Sequence, residues 1–208
     1  VGEISDIDKL DAVMSEHAIT HLVHLVSTTL PKSSNENMAY DIESNVLQTL
    51  RVLDLCLKYR VQRFLFMSSG GTVYGVPGAV PVSEKHPNYP LCSYGISKLT
   101  IEKYLYLYKQ LYGLNYVVLR AANPYGAGQI PSNGQGIIAH VVHKIYNDSL
   151  IQVWGDGTVV RDFLHVKDLA DLVMVSLLSK HTGIFNAGSG AGSSINQTIE
   201  LIEKIIDL

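Results

Sequence analysis

The sequence predicts an α/β fold: a doubly wound parallel sheet flanked by helices, with a small C-terminal lobe. Short β-branched and aromatic apolar runs alternate with longer amphipathic stretches, the pattern of successive βαβ units. Strands joined by helices of that length run parallel through right-handed crossovers. The alternation breaks over residues 126–161, where Gly126, Gly128, Pro131, Gly134, Gly136, Gly155 and Gly157 cluster; a small lobe is expected to leave the main domain there. The expected division is 1–125 for the sheet domain and 126–208 for the lobe, with some later elements returning to the sheet. A chain of 208 residues, 47% hydrophobic and 17% charged, suits one domain plus such a lobe.

Each element has its own signal. Residues 6–17 place Leu10, Val13 and Met14 on one helical face, with Asp6 able to cap the first turn. Residues 20–26 (THLVHLV) are expected as a buried strand. Residues 36–59 are expected as one long helix with Val46, Leu50, Leu53 and Leu57 in a stripe. A strand follows at 62–67 (QRFLFM), a second long helix at 93–112, and a strand at 116–119 (YVVL). Helical spacing recurs at 137–146 and 167–178, a short strand at 184–186, and a last helix at 194–206. Gly188, Gly190 and Gly192 resemble a phosphate loop but lie late in the chain; they are expected as the turn before that helix.

Several function classes are disfavoured. Sixteen Lys and Arg against 19 Asp and Glu leave a formal charge of −3, without the basic excess of a nucleic-acid binder. No apolar run approaches the ~20 residues of a membrane span, and residues 1–8 show no basic leader region. Cys56 and Cys92 lack metal-ligand spacing, so neither a disulfide framework nor a zinc site is expected, and a reducing, cytoplasmic compartment fits. The pairs His21/His24 and His140/His143 lack a third ligand, so no metal site is expected.

In open α/β sheets ligands sit past the carboxyl ends of the strands, and the chemistry-bearing segments follow strands here. Tyr94-Gly-Ile-Ser-Lys98 opens a long helix and places a phenol and an ammonium on one face. A phenol titrates near pH ~10, and bringing it to neutrality needs about 4 kcal/mol of differential stabilisation. A neighbouring ammonium and a cationic nicotinamide ring would both act in that direction. Such pairs also arise by chance on amphipathic helices. The pair is accompanied, however, by Met67-Ser-Ser-Gly-Gly-Thr-Val-Tyr-Gly75 upstream, and by Leu119-Arg-Ala-Ala-Asn-Pro-Tyr-Gly126 and Val160-Arg-Asp-Phe-Leu-His-Val-Lys-Asp168 downstream. Small residues after a strand let a ligand approach the backbone.

These motifs, in this order and nearly end to end, resemble the extended short-chain dehydrogenase/reductase family, most closely its NAD-dependent nucleotide-sugar epimerase branch of the UDP-glucose 4-epimerase type. The resemblance implies a Rossmann-like domain and an epimerase that uses NAD transiently on a nucleotide-sugar, most often a UDP-sugar. It implies Tyr94 as the general base. Lys98 would lower the Tyr94 pKa and hold the nicotinamide ribose. Glu3 and Ile4 match the segment that meets the adenine. Leu25, Val26 and Ser27 match the strand end along the cofactor, and Asn45 an Asn that orients the cofactor and the chain around it. Ser68 and Ser69 match backbone and hydroxyl contacts near the nicotinamide, and Ala122 a main-chain contact to its amide. Asn123 matches a residue at the sugar-linked phosphates, and Trp154 the side chain presented to the uracil. Arg161 matches the diphosphate clamp, for which a guanidinium fork is suited. The resemblance also implies a homodimer through the two long helices, 36–59 and 93–112.

The chain departs from the family where a Ser or Thr usually precedes the Tyr of V-Y-G by four residues; Gly70 stands there, and Ser69 or Thr72 is expected to supply the hydroxyl. Gly71 and Thr72 offer no carboxylate, which argues against a sugar dehydratase. A reductase, dehydrogenase or dehydratase of nucleotide-sugars, and a catalytically silent dimerising fragment, remain alternatives. No glycine-rich first βα turn is present. The chain is therefore expected to be an internal piece of a longer enzyme, without a first βαβ portion of roughly 50–60 residues and a C-terminal tail, and to bind NAD or fold poorly alone.

Overall fold

In chain order the computed structural model, which describes residues 1–131 and 136–206, contains α1 (Ile7–Glu16), β1 (His21–His24), a 3₁₀ turn (Ser33–Asn35), α2 (Met38–Asp41), a π-helical segment (Ile42–Leu47) and α3 (Gln48–Lys58). Next come β2 (Arg63–Ser69), α4 (Ser93–Tyr112), β3 (Tyr116–Ala121), β4 (Asn123–Tyr125), α5 (Ile137–Tyr146) and β5 (Val160–His165). The chain ends with α6 (Val166–Leu178), β6 (Gly183–Ala187), β7 (Gly192–Ser194) and α7 (Ile195–Ile206). Gly134 lies outside the described residues. Two compact units result: Val1–Arg120 with Val173–Asn186, and Ala121–Leu172 with Ala187–Leu208.

The first unit is built on a parallel sheet of order β1-β2-β3-β6. β2 and β3 occupy its middle, and both are almost continuously buried, as an unbroken apolar run requires when both faces of a parallel strand are covered. Phe64, Phe66 and Val118 pack with Val52, Leu53, Cys56, Ile101 and Leu105 from α3 and α4. Asp6 caps α1 as expected, its Oδ1 accepting the Lys9 amide at 3.1 Å. Gly113 ends α4 in the left-handed conformation (φ 73°), its N–H donating to Lys109 O, a stop that glycine adopts without steric cost.

Two expectations about elements need correction. The strand expected buried over 20–26 spans only His21–His24 and, among the described residues, pairs with β2, in register His21↔Arg63 to His24↔Phe66; within this chain Leu25 is 59% and Val26 47% exposed. The single helix expected over 36–59 is three segments, because a π turn separates α2 from α3. Such turns recur at functional sites.

The second unit carries a three-stranded sheet, order β4-β5-β7. β4 and β5 are parallel, with Asn123 opposite Phe163, and β5 and β7 antiparallel, with Arg161 opposite Ser193. The glycine-rich turn before α7 belongs here. The Asp162 carboxylate accepts the N–H groups of Ser189 at 2.9 Å and Gly190 at 3.0 Å, and the Ser189 hydroxyl at 2.7 Å. A Cβ at Gly188 would collide with that carboxylate. The loop's donors are thus satisfied from within the chain, as a structural turn requires and a phosphate loop would not.

Candidate active site

Tyr94 and Lys98 occupy the first turns of α4, and other segments complete this helix start. Its N-cap, Cys92, makes no side-chain cap bond. The Ser93 amide donates instead to Asn35 Oδ1 at 2.9 Å and the Tyr94 amide to Ser34 Oγ at 3.0 Å, which satisfies donors a helix leaves free. Gly95 permits a close approach: a Cβ there would lie 2.8 Å from Thr72 O and 2.9 Å from Pro90 Cβ.

Below this turn lies a buried polar network. Asp41 is fully buried. Its Oδ2 accepts Ser93 Oγ at 2.8 Å and Ser97 Oγ at 2.6 Å; its Oδ1 accepts Asn45 Nδ2 at 3.0 Å and the Thr29 hydroxyl. Asn45 Nδ2 also donates to Asp41 O at 3.1 Å, and its Oδ1 accepts the Thr28 amide at 3.0 Å. Asn45 thereby ties the strand-end loop to Asp41.

Lys98 is 5% exposed. Its Nζ donates to Met67 O at 2.9 Å and lies 5.4 Å from the Tyr94 ring centroid and 4.8 Å from that of Phe66. Burial pushes the ammonium down to about 8, against the opposing pull of the Asp41 and Glu102 carboxylates. The Tyr94 phenol is pushed up, by burial first and then by Cys92 and Asp41. The Lys98 ammonium lies over the Tyr94 ring face and bonds a carbonyl, and burial is the largest influence on the phenol.

Val26, Ser27, Asp41, Asn45, Tyr94, Ser97, Lys98 and Ile101 line one cleft. It brings together five of the expected residues: Val26, Ser27, Asn45, Tyr94 and Lys98. Leu25 follows β1 beside it. Glu3 and Ile4 do not line it; Glu3 is exposed, with its carbonyl accepting the Asp6 amide, and Ile4 packs against the core.

Ser68 is buried, and its hydroxyl donates to Glu102 Oε1 at 2.6 Å, so the hydroxyl faces the core. Glu102 is also bound twice by Arg120, from Nε at 3.0 Å and Nη2 at 2.6 Å, an ion pair almost fully withdrawn from water. Arg120 stacks on Tyr74, whose hydroxyl donates to Asn186 Oδ1 at 2.5 Å. Of the two hydroxyls flanking Gly70, Thr72 Oγ1 is shielded from solvent and has no hydrogen-bond partner among the described residues; Ser69 is half-buried.

The remaining expected residues lie in the second unit. The Ala122 amide donates to Ala187 O at 2.8 Å. Asn123 Nδ2 donates to Asp162 O at 2.9 Å, tying β4 to β5. Arg161 is exposed on β5, bonding the Val160 carbonyl at 3.0 Å, and Trp154 is 78% exposed. Asp41, Ser93, Ser97 and Glu102 escaped the sequence reading. Only Glu102 left a local signal, four residues beyond Lys98 on the same helix face.

Comparison with known proteins places this geometry. Residues 1–188 match the NAD dependent epimerase/dehydratase family. A Methanocaldococcus jannaschii protein described as a putative UDP-glucose 4-epimerase is 37% identical over 205 residues, 99% of this chain and 67% of the relative. An Escherichia coli dTDP-4-dehydro-6-deoxyglucose reductase is also 37% identical, over 95% of this chain and 62% of its own length. Among solved structures, UDP-glucose 4-epimerase from Thermotoga maritima with UDP-glucose superposes with a TM-score of 0.95 at 31% identity, covering 99% of this chain and 67% of that one. The Thermus thermophilus UDP-glucose 4-epimerase complex with NAD gives 0.90 at 31% identity, covering 98% and 67%. The chain thus spans about two thirds of the length of these relatives. With its Tyr94–Lys98 helix start beside the strand-end cleft and with these matches, the chain belongs to the NAD dependent epimerase/dehydratase family.

Proposed function

We propose that this chain belongs to a nucleotide-sugar 4-epimerase that acts through NAD, with Tyr94 as the base. The observation that carries the reading is the cleft past the end of β1, where the Tyr94–Lys98 pair faces Val26, Ser27 and Asn45. The residues fit the cofactor: Lys98 is a buried ammonium with one hydrogen bond to the described residues, so it has donors left for ribose hydroxyls. When bound, NAD supplies the hydride acceptor and donor, and its cationic ring adds to Lys98 in favouring the phenolate. Tyr94 takes the proton of the sugar's C4 hydroxyl as that carbon is oxidised to the ketone. It returns the proton when the carbon is reduced from its other face, so neither cofactor nor proton is consumed overall. Thr72 supports the reacting hydroxyl in place of the missing side chain at Gly70; its unpartnered Oγ1 supports that role over Ser69.

Arg161, Asn123 and Trp154 are the groups for the diphosphate and base of a UDP-sugar, and Ala122 a main-chain contact to the nicotinamide. Exposed Tyr106, Leu107, Leu111 and Tyr112 on α4, with Met38, Tyr40 and Leu47, support a homodimer through the long helices. Two free cysteines, and the absence of any described helix long and apolar enough to cross a membrane, support a cytoplasmic setting. The reductase relative favours a second reading, stoichiometric reduction of a nucleotide-keto-sugar. Tyr94→Phe is expected to lower interconversion of UDP-glucose and UDP-galactose more than ~100-fold with the melting temperature retained; an active Phe variant overturns the assignment. Net consumption of reduced nicotinamide during turnover decides for the reductase.

A further inference from the structure

We infer that Asp41 is the positioning residue of the Tyr94–Lys98 pair. Resting on the proposed reading of the site, this names the group that holds its geometry. The carboxylate bonds the hydroxyls on either side of the pair's first member along the helix, Ser93 one residue before Tyr94 and Ser97 three after it, at 2.8 and 2.6 Å. A helix turn held at two successive positions on one face cannot rotate about its axis without breaking one bond. Through its other oxygen Asp41 holds Thr29 and Asn45, and Asn45 in turn holds the Thr28 amide. One buried side chain therefore fixes both walls of the cleft, the strand-end loop after β1 and the first turn of α4.

The π turn makes this possible. It begins directly after Asp41 and brings the Asn45 amide onto both the main-chain and side-chain oxygens of Asp41 at 3.1 and 3.0 Å. Among the described residues Asp41 hydrogen-bonds no cation, although its charge acts on the neighbouring Lys98 ammonium, whereas the other buried carboxylate of this region, Glu102, is paired with Arg120. Its charge is held by four neutral donors, an arrangement costly to bury and suited to keeping several segments in one geometry. The Ser34 and Asn35 side chains that bond the first two amides of α4 precede Asp41 by a few residues, so the same segment grips the helix start from its end and from its side.

The test compares Asp41→Asn and the double variant Ser93→Ala/Ser97→Ala with the parent, by amide hydrogen exchange and by steady-state kinetics. In Asp41→Asn one of the two acceptors becomes a donor facing Asn45 Nδ2 or the serine hydroxyls. In the double variant the carboxylate stays and the helix bonds go. Both are expected to speed exchange at the Ser93 and Tyr94 amides at least tenfold while the Leu105 amide, deep in α4, keeps the parent rate. A geometric loss of this kind is expected to lower kcat for the nucleotide-sugar by roughly 10- to 100-fold with KM unchanged. Parent-like exchange at Ser93 and Tyr94, or acceleration equal at Leu105, overturns the positioning role. Should Asp41→Asn not fold, the double variant alone decides. The kinetics are read in the full-length protein that contains this chain; an inactive full-length parent overturns the epimerase reading, while the exchange rates still decide whether Asp41 holds the helix start.

Discussion

The two units treat the side chains proposed to function in opposite ways. In the first, Lys98, Asp41 and Glu102 are buried, and the groups that hold them come from β2, β3 and α4. In the second, Trp154 and Arg161 are exposed, and among the described residues Arg161 bonds the carbonyl of its chain neighbour. Proton transfer tolerates little positional error, so its groups are built into a core. Groups that recognise a polar, flexible ligand can be ordered when the ligand arrives, at an entropic cost. Substitutions in the first unit should therefore register in stability and kcat, and those in the second in ligand affinity alone.

The largest effect that would break this contrast is expected at Glu102. Glu102→Gln keeps the volume but leaves the Arg120 guanidinium buried without a counter-charge, and removing one partner of such a pair costs about 3–5 kcal/mol. Urea unfolding of Glu102→Gln beside Arg161→Ala should show a loss of that order for the first and a change within about 0.5 kcal/mol for the second. Equal midpoints for the two would remove the distinction between a built-in and an exposed site.

This asymmetry also explains what could be read from the sequence. The order of the elements, the Asp6 cap and the Tyr94–Lys98 helix start follow from local spacing, and each is present. The Asp41 contacts were not readable, since Ser93 and Ser97 lie 52 and 56 residues away and no periodicity couples a buried acid to distant hydroxyls. The direction of the Ser68 hydroxyl escaped for a related reason. Both faces of β2 are buried, so strand alternation did not reveal that one face held Glu102. In the second unit, the roles proposed for Arg161 and Trp154 rest on motif resemblance alone, because exposed side chains leave no packing signature.

A second test uses pH. Lys98 titrates near 8 in the folded chain against about 10.5 when exposed. Between those values the unfolded state binds the extra proton, so stability rises with pH across the window, and the burial cost is fully present below it. Relative to Lys98→Met, the parent should gain at most about 3 kcal/mol between pH 7 and 10.5. The Asp41 and Glu102 charges work against that gain. Cys56, whose thiol burial pushes up to about 12, loses stability over an overlapping range, and the comparison with Lys98→Met cancels it. A flat difference across the window would mean that Lys98 is solvated in solution, and that the unit proposed to carry catalysis is less closed than its geometry.

The smallest effects are expected in the second unit, and they sharpen the contrast from the other side. Trp154→Ala and Arg161→Ala remove exposed side chains and should leave the melting temperature unchanged. A charge-assisted bond to a diphosphate contributes about 1.5–3 kcal/mol, so Arg161→Ala should weaken UDP binding by roughly 10- to 100-fold. The loss for Trp154→Ala should be smaller, on the order of one stacking contact of about 1–3 kcal/mol at most. Calorimetric titration with UDP reads both. Because UDP carries no sugar to oxidise, the measurement separates recognition from the chemistry of Tyr94. Unchanged UDP affinity in Arg161→Ala would move the diphosphate away from β5, and with it the assignment of the exposed side chains to recognition.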